Sequence, residues 1–430
     1  MSALLENDSD SEDDIEVSEN DSSRQIIEWN SNLIENKNIS IPKFEQLSGP
    51  IHNLPTGSSA LQYLKLYLTD EICEKMRLNT NKYAEFCAKQ RGYEDKSWYP
   101  IASIKEIWAF FTVLFVMSLV KMPRLTDYWA KTATLGNERV KSMMGKHMFL
   151  KIKYYFHIPD RESEVKKNES SFTFSQKVEP LQKYLQEKFT ELFKRTAEVS
   201  IDEVLVKFKG RLGIIQYMPL KPEKRVIKLW RLCTSHFGYT LNFEMYCGKF
   251  GNTPRTKNGL GYEVVMHLTK GRKGAEKLSV QCPVVFVQYN RHMGGVDLAD
   301  QCRKYFSVVR KSSKWWWYIF SFLLDTAVNN AFILMKATNS PPTKRIYHLY
   351  DFKLELIEEL GKEGCRKRAH SDFNRTEEHS HKKREIDSRK RTCVRCRKLG
   401  LKTAAGRSIE SSWECAICNI YLCQNCFVDN

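Results

Sequence analysis

Leu61, Leu64, Leu68, Ile72 and Met76 fall at spacings of three and four, the period of a helix with one buried face. Further apolar stretches, Trp108 to Val120 and Phe149 to Phe156, predict buried helices, so the chain reads as all-helical from Ala60 to Phe156. A polar connector from Asp160 to Ser171 follows. Helical periodicity then returns through Leu181, Tyr184, Leu185, Phe189 and Phe193. The pattern next changes to extended runs, Val199 to Phe208, Val226 to Cys233 and Tyr239 to Cys247, punctuated by Gly210, Gly213 and His236-Phe237-Gly238. A helix is predicted from about Gly259 to Leu268, a short extended piece over Pro283 to Val287, and a long apolar helix from Lys314 to Met335. Pro341-Pro342 stops that helix.

Composition narrows the class. At 430 residues with 42% hydrophobic residues, the chain can fold two or three domains around a sizeable core. Its formal charge is +17, and residues 1–21 hold nine Asp or Glu without a Lys or Arg. The remainder therefore sets 68 basic against 42 acidic residues, an excess of 26 that predicts attraction to a polyanion, above all nucleic acid. The acidic start has neither the positive charge nor the apolar core of a signal peptide. The run from Ile107 to Val120 is too short to span a bilayer, so the expectation is an intracellular chain with no membrane partner.

Chemistry concentrates in two places. Tyr289 to Gln301, YNRHMGGVDLADQ, sets Asp297 and Asp300 three residues apart, where a helix turns both carboxylates to one side. They are either cation ligands or two solvated acids on an amphipathic helix. Near the other end, six of thirteen cysteines form Cys393-x2-Cys396, Cys415-x2-Cys418 and Cys423-x2-Cys426, a spacing that predicts zinc rather than disulfides in a reduced compartment.

Ser200-Ile201-Asp202-Glu203, the run Lys207-Phe208-Lys209-Gly210-Arg211, Tyr217-Met218-Pro219-Leu220-Lys221-Pro222 and the GGVDLADQ segment together resemble the piggyBac transposase family, itself similar to the RNase H-like DDE/D recombinases. Trp98-Tyr99-Pro100, Glu106-Ile107, Lys121-Met122-Pro123, Asp127-Tyr128-Trp129 and Lys314-Trp315-Trp316 continue the likeness across residues 60–340. The resemblance implies an RNase H-like α+β or α/β core within a helical surround and a small zinc finger. Asp202 and Asp297 take the places of the first and third catalytic aspartates, ligands for Mg2+, and Asp300 takes a further acidic position.

The family's second aspartate lies in a segment like DNFFTS, after the helix that Gly261 to Met266 resembles. Here the chain runs from Leu268-Thr269 through Lys270-Gly271-Arg272-Lys273 to Gln281-Cys282-Pro283, and no aspartate occurs between Asp202 and Asp297. A central strand and its carboxylate are expected to be missing. Glu203, Glu244, Glu263 and Glu276 are the acids left as substitutes, none in a matching segment.

The expected organisation is an acidic tail over 1–45, a helical DNA-binding and dimerisation-like region over 46–195, an internally deleted catalytic domain over 196–340, a basic linker over 341–391 and a finger over 392–430. The linker, with Arg366-Lys367-Arg368, Lys382-Lys383-Arg384 and Arg389-Lys390-Arg391, reads as nuclear-targeting, DNA-tracking or merely a solvated tether. Lys207, Lys209, Arg211, Arg310, Lys311 and Lys314 are candidate DNA contacts. Trp315 and Trp316 stack on bases or pack in the core. Lys141, Lys146, Lys151 and Lys153 reach phosphate or form a wet face. In the family's cross-brace finger, Cys393, Cys396, Cys423 and Cys426 share one ion. A plain ribbon through Cys393, Cys396, Cys415 and Cys418 is the rival. The functional expectation is a nuclear, transposase-derived binder of double-stranded, transposon-end-like DNA, with a second copy of itself as a candidate partner and impaired cleavage. An active DDE/D transposase and a protein-binding finger are the alternatives.

Overall fold

The structure, a computed structural model, describes residues 44–132, 134–166, 168–247, 259–269, 289–339, 347–362, 383–385, 390–415 and 421–428. The acidic tail, Glu276, Pro283 to Val287, Arg366-Lys367-Arg368 and Cys418 lie outside them.

The helical periodicity is realised as α1 (Ala60–Tyr67), α2 (Asp70–Arg91), α3 (Ile104–Leu119), α4 (Glu138–Met143), α5 (Lys146–Tyr155) and α6 (Glu179–Leu192). Ser59 caps α1 reciprocally with Gln62, whose side chain accepts the Ser59 N–H at 2.9 Å. Almost every side chain of α3 is buried, as its apolar composition on all faces requires. A two-residue ladder, β1 (Gly49–Pro50) with β2 (Phe193–Lys194), ties the start of the described chain to the end of α6.

The extended runs form one antiparallel sheet. Its middle strand, β5 (Arg225–Thr234), pairs along one edge with β3 (Val199–Lys207) and along the other with β4 (Ile215–Tyr217) and β6 (Thr240–Met245). The outer edge of β3 has no partner strand among the described residues. After α7 (Gly259–Leu268), the chain re-enters as α8 (Gly295–Tyr305), which lies against β3 and β5, and then as α9 (Trp315–Thr338). α9 is long and apolar enough to cross a membrane, yet 83% of its apolar window is buried inside this fold.

A single hydrophobic core joins α1, α3, α6, the sheet and α9, so the boundary expected at residue 195 does not separate two cores. Within the stretch expected as linker, α10 (Leu349–Lys362) buries Leu349, Phe352, Leu356, Ile357 and Leu360 against α3 and α1. A second, small core belongs to the cysteine-rich end, where β7 (Lys383–Glu385) pairs with β10 (Trp413–Cys415), β8 (Arg391–Thr392) pairs with β9 (Glu410–Ser411), and α11 (Val394–Lys398) and α12 (Gln424–Val428) carry cysteines.

One ion pair is sealed in the main core. Asp325 of α9 accepts from Ser307 Oγ at 2.7 Å and the Val308 N–H at 3.1 Å, and Lys353 Nζ of α10 lies 3.7 Å away. Burial pushes the Asp325 carboxyl up and the Lys353 amine down, and their attraction opposes both shifts. Removing one partner strands the other charge. Asp325→Ala is expected to lose about 3–5 kcal/mol in denaturant unfolding, and the volume-matched pair Asp325→Leu with Lys353→Met to regain most of it. If the single and double variants unfold at the same midpoint, the pair does not stabilise the core.

Candidate functional site

Strand alternation gives the first clue to the site. On β3, Ser200, Val204 and Val206 are buried, whereas Asp202, at the same parity, is exposed. An acid occupies an inward position, and the covering layer opens above it. Directly across the ladder stands Arg231, fully buried. Its Nε donates to Thr240 Oγ1 at 2.9 Å and its Nη2 to Thr326 Oγ1 at 3.3 Å, while Nη1 has no partner. The guanidinium also lies over Phe322, 5.4 Å from the ring centre.

The second acidic segment is held to the first through Ser200. Its hydroxyl donates to the His292 carbonyl at 2.5 Å and accepts the Gly295 N–H at 3.2 Å, so the two motifs are bonded two residues from each of their aspartates. Gly295 is required there. A Cβ at this position would meet Thr234 O at 2.5 Å and Ser200 Oγ at 2.9 Å. Gly238, at φ +65° in the β5–β6 turn, lies against the same helix, where a Cβ would meet Ala299 N at 3.0 Å.

Asp297 is exposed in the first turn of α8, where the helix dipole favours a negative charge. Asp300 differs. It accepts from Arg303 at 2.5 Å and Lys304 at 2.7 Å, and although burial opposes ionisation, these two cations hold its carboxyl below the usual range. Asp300 is thus already neutralised, whereas Asp202 and Asp297 have no ion-pair partner among the described residues.

Neither aspartate belongs to a cluster of three ligating side chains among the described residues. The substitutes are placed elsewhere. Glu203, on the opposite face of β3, is bound by Lys228 at 2.6 Å and Lys221 at 3.3 Å. Glu244 on β6 faces Gln182 and His267. The Glu263 side chain and Glu276 lie outside the described residues. Two carboxylates suit one hard cation completed by water and phosphate, but they leave a two-ion clamp short of a ligand.

The basic and aromatic candidates divide. Lys209, Arg211 and Lys311 are exposed. Lys207 is exposed and paired with Glu223. Arg310 is half-buried and donates to the carbonyls of Met117 and Val309, while Lys314 donates to the Tyr154 carbonyl and is pushed down to about 8 by burial. Trp316 and its neighbour Trp317 are packed among Phe156, Phe110 and Phe320. Trp315 is half-buried and lines an open groove of about 520 Å³ with Lys177, Arg211 and Phe174.

In the finger, Cys393, Cys396, Cys423 and Cys426 converge, their sulfurs all within 4.8 Å of one another. Cys396 Sγ lies 3.6 Å from Cys423 Sγ and 3.5 Å from Cys426 Sγ. A tetrahedral zinc with Zn–S near 2.3 Å sets its sulfurs roughly 3.8 Å apart, so this closed, four-thiol donor set fits a structural zinc. Convergence of these four cysteines matches the cross-brace pairing; the side chain of Cys415 lies outside the described residues.

The sequence left Ser200, Arg231, His236 and His292 unremarked as site residues. An arginine in the apolar run RVIKLWRLC, at a position that strand parity turns inward, was the available signal for Arg231. The junction itself is testable. Gly295→Ala is expected to cost about 1–3 kcal/mol and lower the melting temperature, because backbone must give way. Gly294→Ala, at φ −77° with open space around it, should be neutral or raise stability by about 0.4–1 kcal/mol. Equal effects at the two positions would show that the contact with Thr234 and Ser200 is not what demands a glycine.

Comparison with known proteins agrees with this geometry. A family model described as Transposase IS4 matches residues 59–278 and 271–332, two pieces that overlap where the second-aspartate segment is wanting. Human PiggyBac transposable element-derived protein 3 is 27% identical over 209 residues, 49% of this chain and 33% of that protein. Human PiggyBac transposable element-derived protein 5 is 26% identical over 166 residues, 38% of this chain and 30% of that protein. The match thus spans about a third of the length of these relatives. A piggyBac transposase, solved by cryo-EM in a synaptic complex with hairpin DNA, superposes with a TM-score of 0.63 at 16% identity, covering 88% of this chain and 98% of the other. At that identity the likeness is one of fold. With a family model running through well over half of its length and both aspartate-bearing motifs joined in one junction, the chain belongs to the piggyBac type of the IS4 transposase family.

Proposed function

We propose that this chain is a nuclear, transposase-derived protein that binds double-stranded DNA of transposon-end type and is impaired in cleavage and strand transfer. The observation that carries the reading is the incomplete carboxylate set. Asp202 and Asp297 stand on adjoining elements without a third ligating side chain among the described residues, Asp300 is occupied by two cations, and the family match breaks at the missing segment. In this reading the sheet and α8 form an RNase H-like core, and the outer edge of β3 has no partner strand among the described residues. Magnesium, where bound, neutralises phosphate charge and activates water. Here Asp202 and Asp297 would hold it, and the enzyme's usual second ion would lack a ligand.

Binding needs less than cleavage. Lys209, Arg211 and Lys311 present charge at the surface, Trp315 offers a ring beside Arg211, and the four-cysteine finger supplies a compact module flanked by basic residues. A piggyBac transposase of the same fold is seen with hairpin DNA, which supports DNA as the ligand class.

Three measurements test the reading. Fluorescence anisotropy on transposon-end-like duplexes is expected to show affinity falling steeply with salt, the log–log slope dropping by about 1 for each phosphate-contacting lysine or arginine removed, with Arg211→Ala the first variant. Binding that ignores salt points instead to a protein partner. With magnesium the purified chain is expected to leave those duplexes uncut; cleavage that disappears in Asp202→Ala overturns the impairment. Chelation of zinc, or Cys396→Ser, is expected to unfold the finger, seen as lost amide protection over residues 391–428, while the main core keeps its melting transition.

A further inference from the structure

Beside the Ser200 junction, three ligating side chains from separate segments come together. Glu198 precedes β3, His236 sits in the β5–β6 turn, and His292 lies in the segment entering α8. One ligand atom from each falls within 4.8 Å of the others. His236 Nε2 is 3.8 Å from Glu198 Oε2, and the two imidazoles meet edge to face with centres 5.3 Å apart at 84°. His292 Nδ1 is shut off from solvent and has no hydrogen-bond partner among the described residues.

We propose that Glu198, His236 and His292 form a second metal site, taking a zinc-class divalent ion separately from both the aspartates and the cysteine finger. Ligands at about 2.0–2.2 Å from a tetrahedral zinc stand roughly 3.3–3.6 Å apart, so the observed 3.8 Å is close to what an ion needs, and the remaining separations close with small side-chain rotations, His236 being exposed and His292 half-buried. Two imidazoles and one carboxylate are the donor set of open zinc sites, with a fourth position for water. Imidazole nitrogen selects zinc, nickel or cobalt over magnesium, so this site does not compete for the ion that Asp202 and Asp297 suit. His236 lines an open cleft of about 700 Å³, which gives the ion an entry path.

The consequence is mechanical. The backbone around these ligands already converges: Ser235 N–H donates to the Glu198 carbonyl at 3.2 Å, and the His292 carbonyl accepts from Ser200. An ion there fastens the strand of Asp202, the turn that touches α8, and the entry to the helix of Asp297 in one bond network.

The test uses the full chain, zinc and cobalt as probes, and His236→Asn, an exposed-turn substitution that leaves the core intact. Equilibrium dialysis should find one zinc equivalent fewer in His236→Asn and in His236→Asn with His292→Asn than in the unaltered chain. Cobalt in that lost site should lack the thiolate charge-transfer absorption that marks the finger. Glu198→Gln should weaken the same equivalent by more than about tenfold, the lower end of what even outer-shell partners cost a metal site. Zinc-induced elevation of the main melting transition should vanish with it. Equal stoichiometry in all these chains, or a lost equivalent that carries the thiolate band, overturns the proposal.

Discussion

The junction at the Ser200 hydroxyl governs the arrangement of everything around it. One oxygen donates to the His292 carbonyl and accepts from the Gly295 N–H, so a strand edge and a helix start are joined through a single short side chain. Such contact is available only because Gly295 has no Cβ and Gly238 permits a left-handed turn beneath the same helix. Position then follows for the rest: Asp202 stands two residues along the strand, Asp297 two along the helix, and α9 closes over the buried Arg231 that faces Asp202 across the ladder.

The electrostatics of this floor are unusual for a cation site. Arg231 is wholly buried, held by two threonine hydroxyls and an aromatic face instead of a carboxylate, and burial draws its pKa down. Asp300, within electrostatic range of Arg231, is spent on Arg303 and Lys304. Positive charge thus lies directly across the ladder from Asp202.

Periodicity carried most of the fold. The leucines of α1 and the apolar faces of α6 and α9 appear where their spacing placed them, and the three extended runs became β3, β5 and β6, because burial of a regular face is a local property of the chain. Resemblance of short motifs, not periodicity, singled out Asp202 and Asp297, and cysteine spacing marked the terminal cluster while leaving its pairing open. What escaped depends on contacts distant in sequence. Trp316 is packed against Phe156 just past the end of α5, and Arg310 is consumed by carbonyls 193 residues away and next door, neither of which any spacing rule encodes. Residues 349–362 read as part of a charged tether, since the surrounding lysines and arginines masked a helix whose apolar face has its partner in α3.

The shared core has an evolutionary corollary. Because α1, α6, α9 and the sheet bury one another, the chain cannot discard the sheet that carries Asp202 and keep its helices. Selection for folding therefore guards Ser200, Gly295 and the inward residues of β3 whether or not DNA is ever cut. It is indifferent to Asp202 and Asp297, whose carboxylates lie in solvent. Packing alone would let those two drift while the glycine between them stayed fixed, so only use preserves the acids.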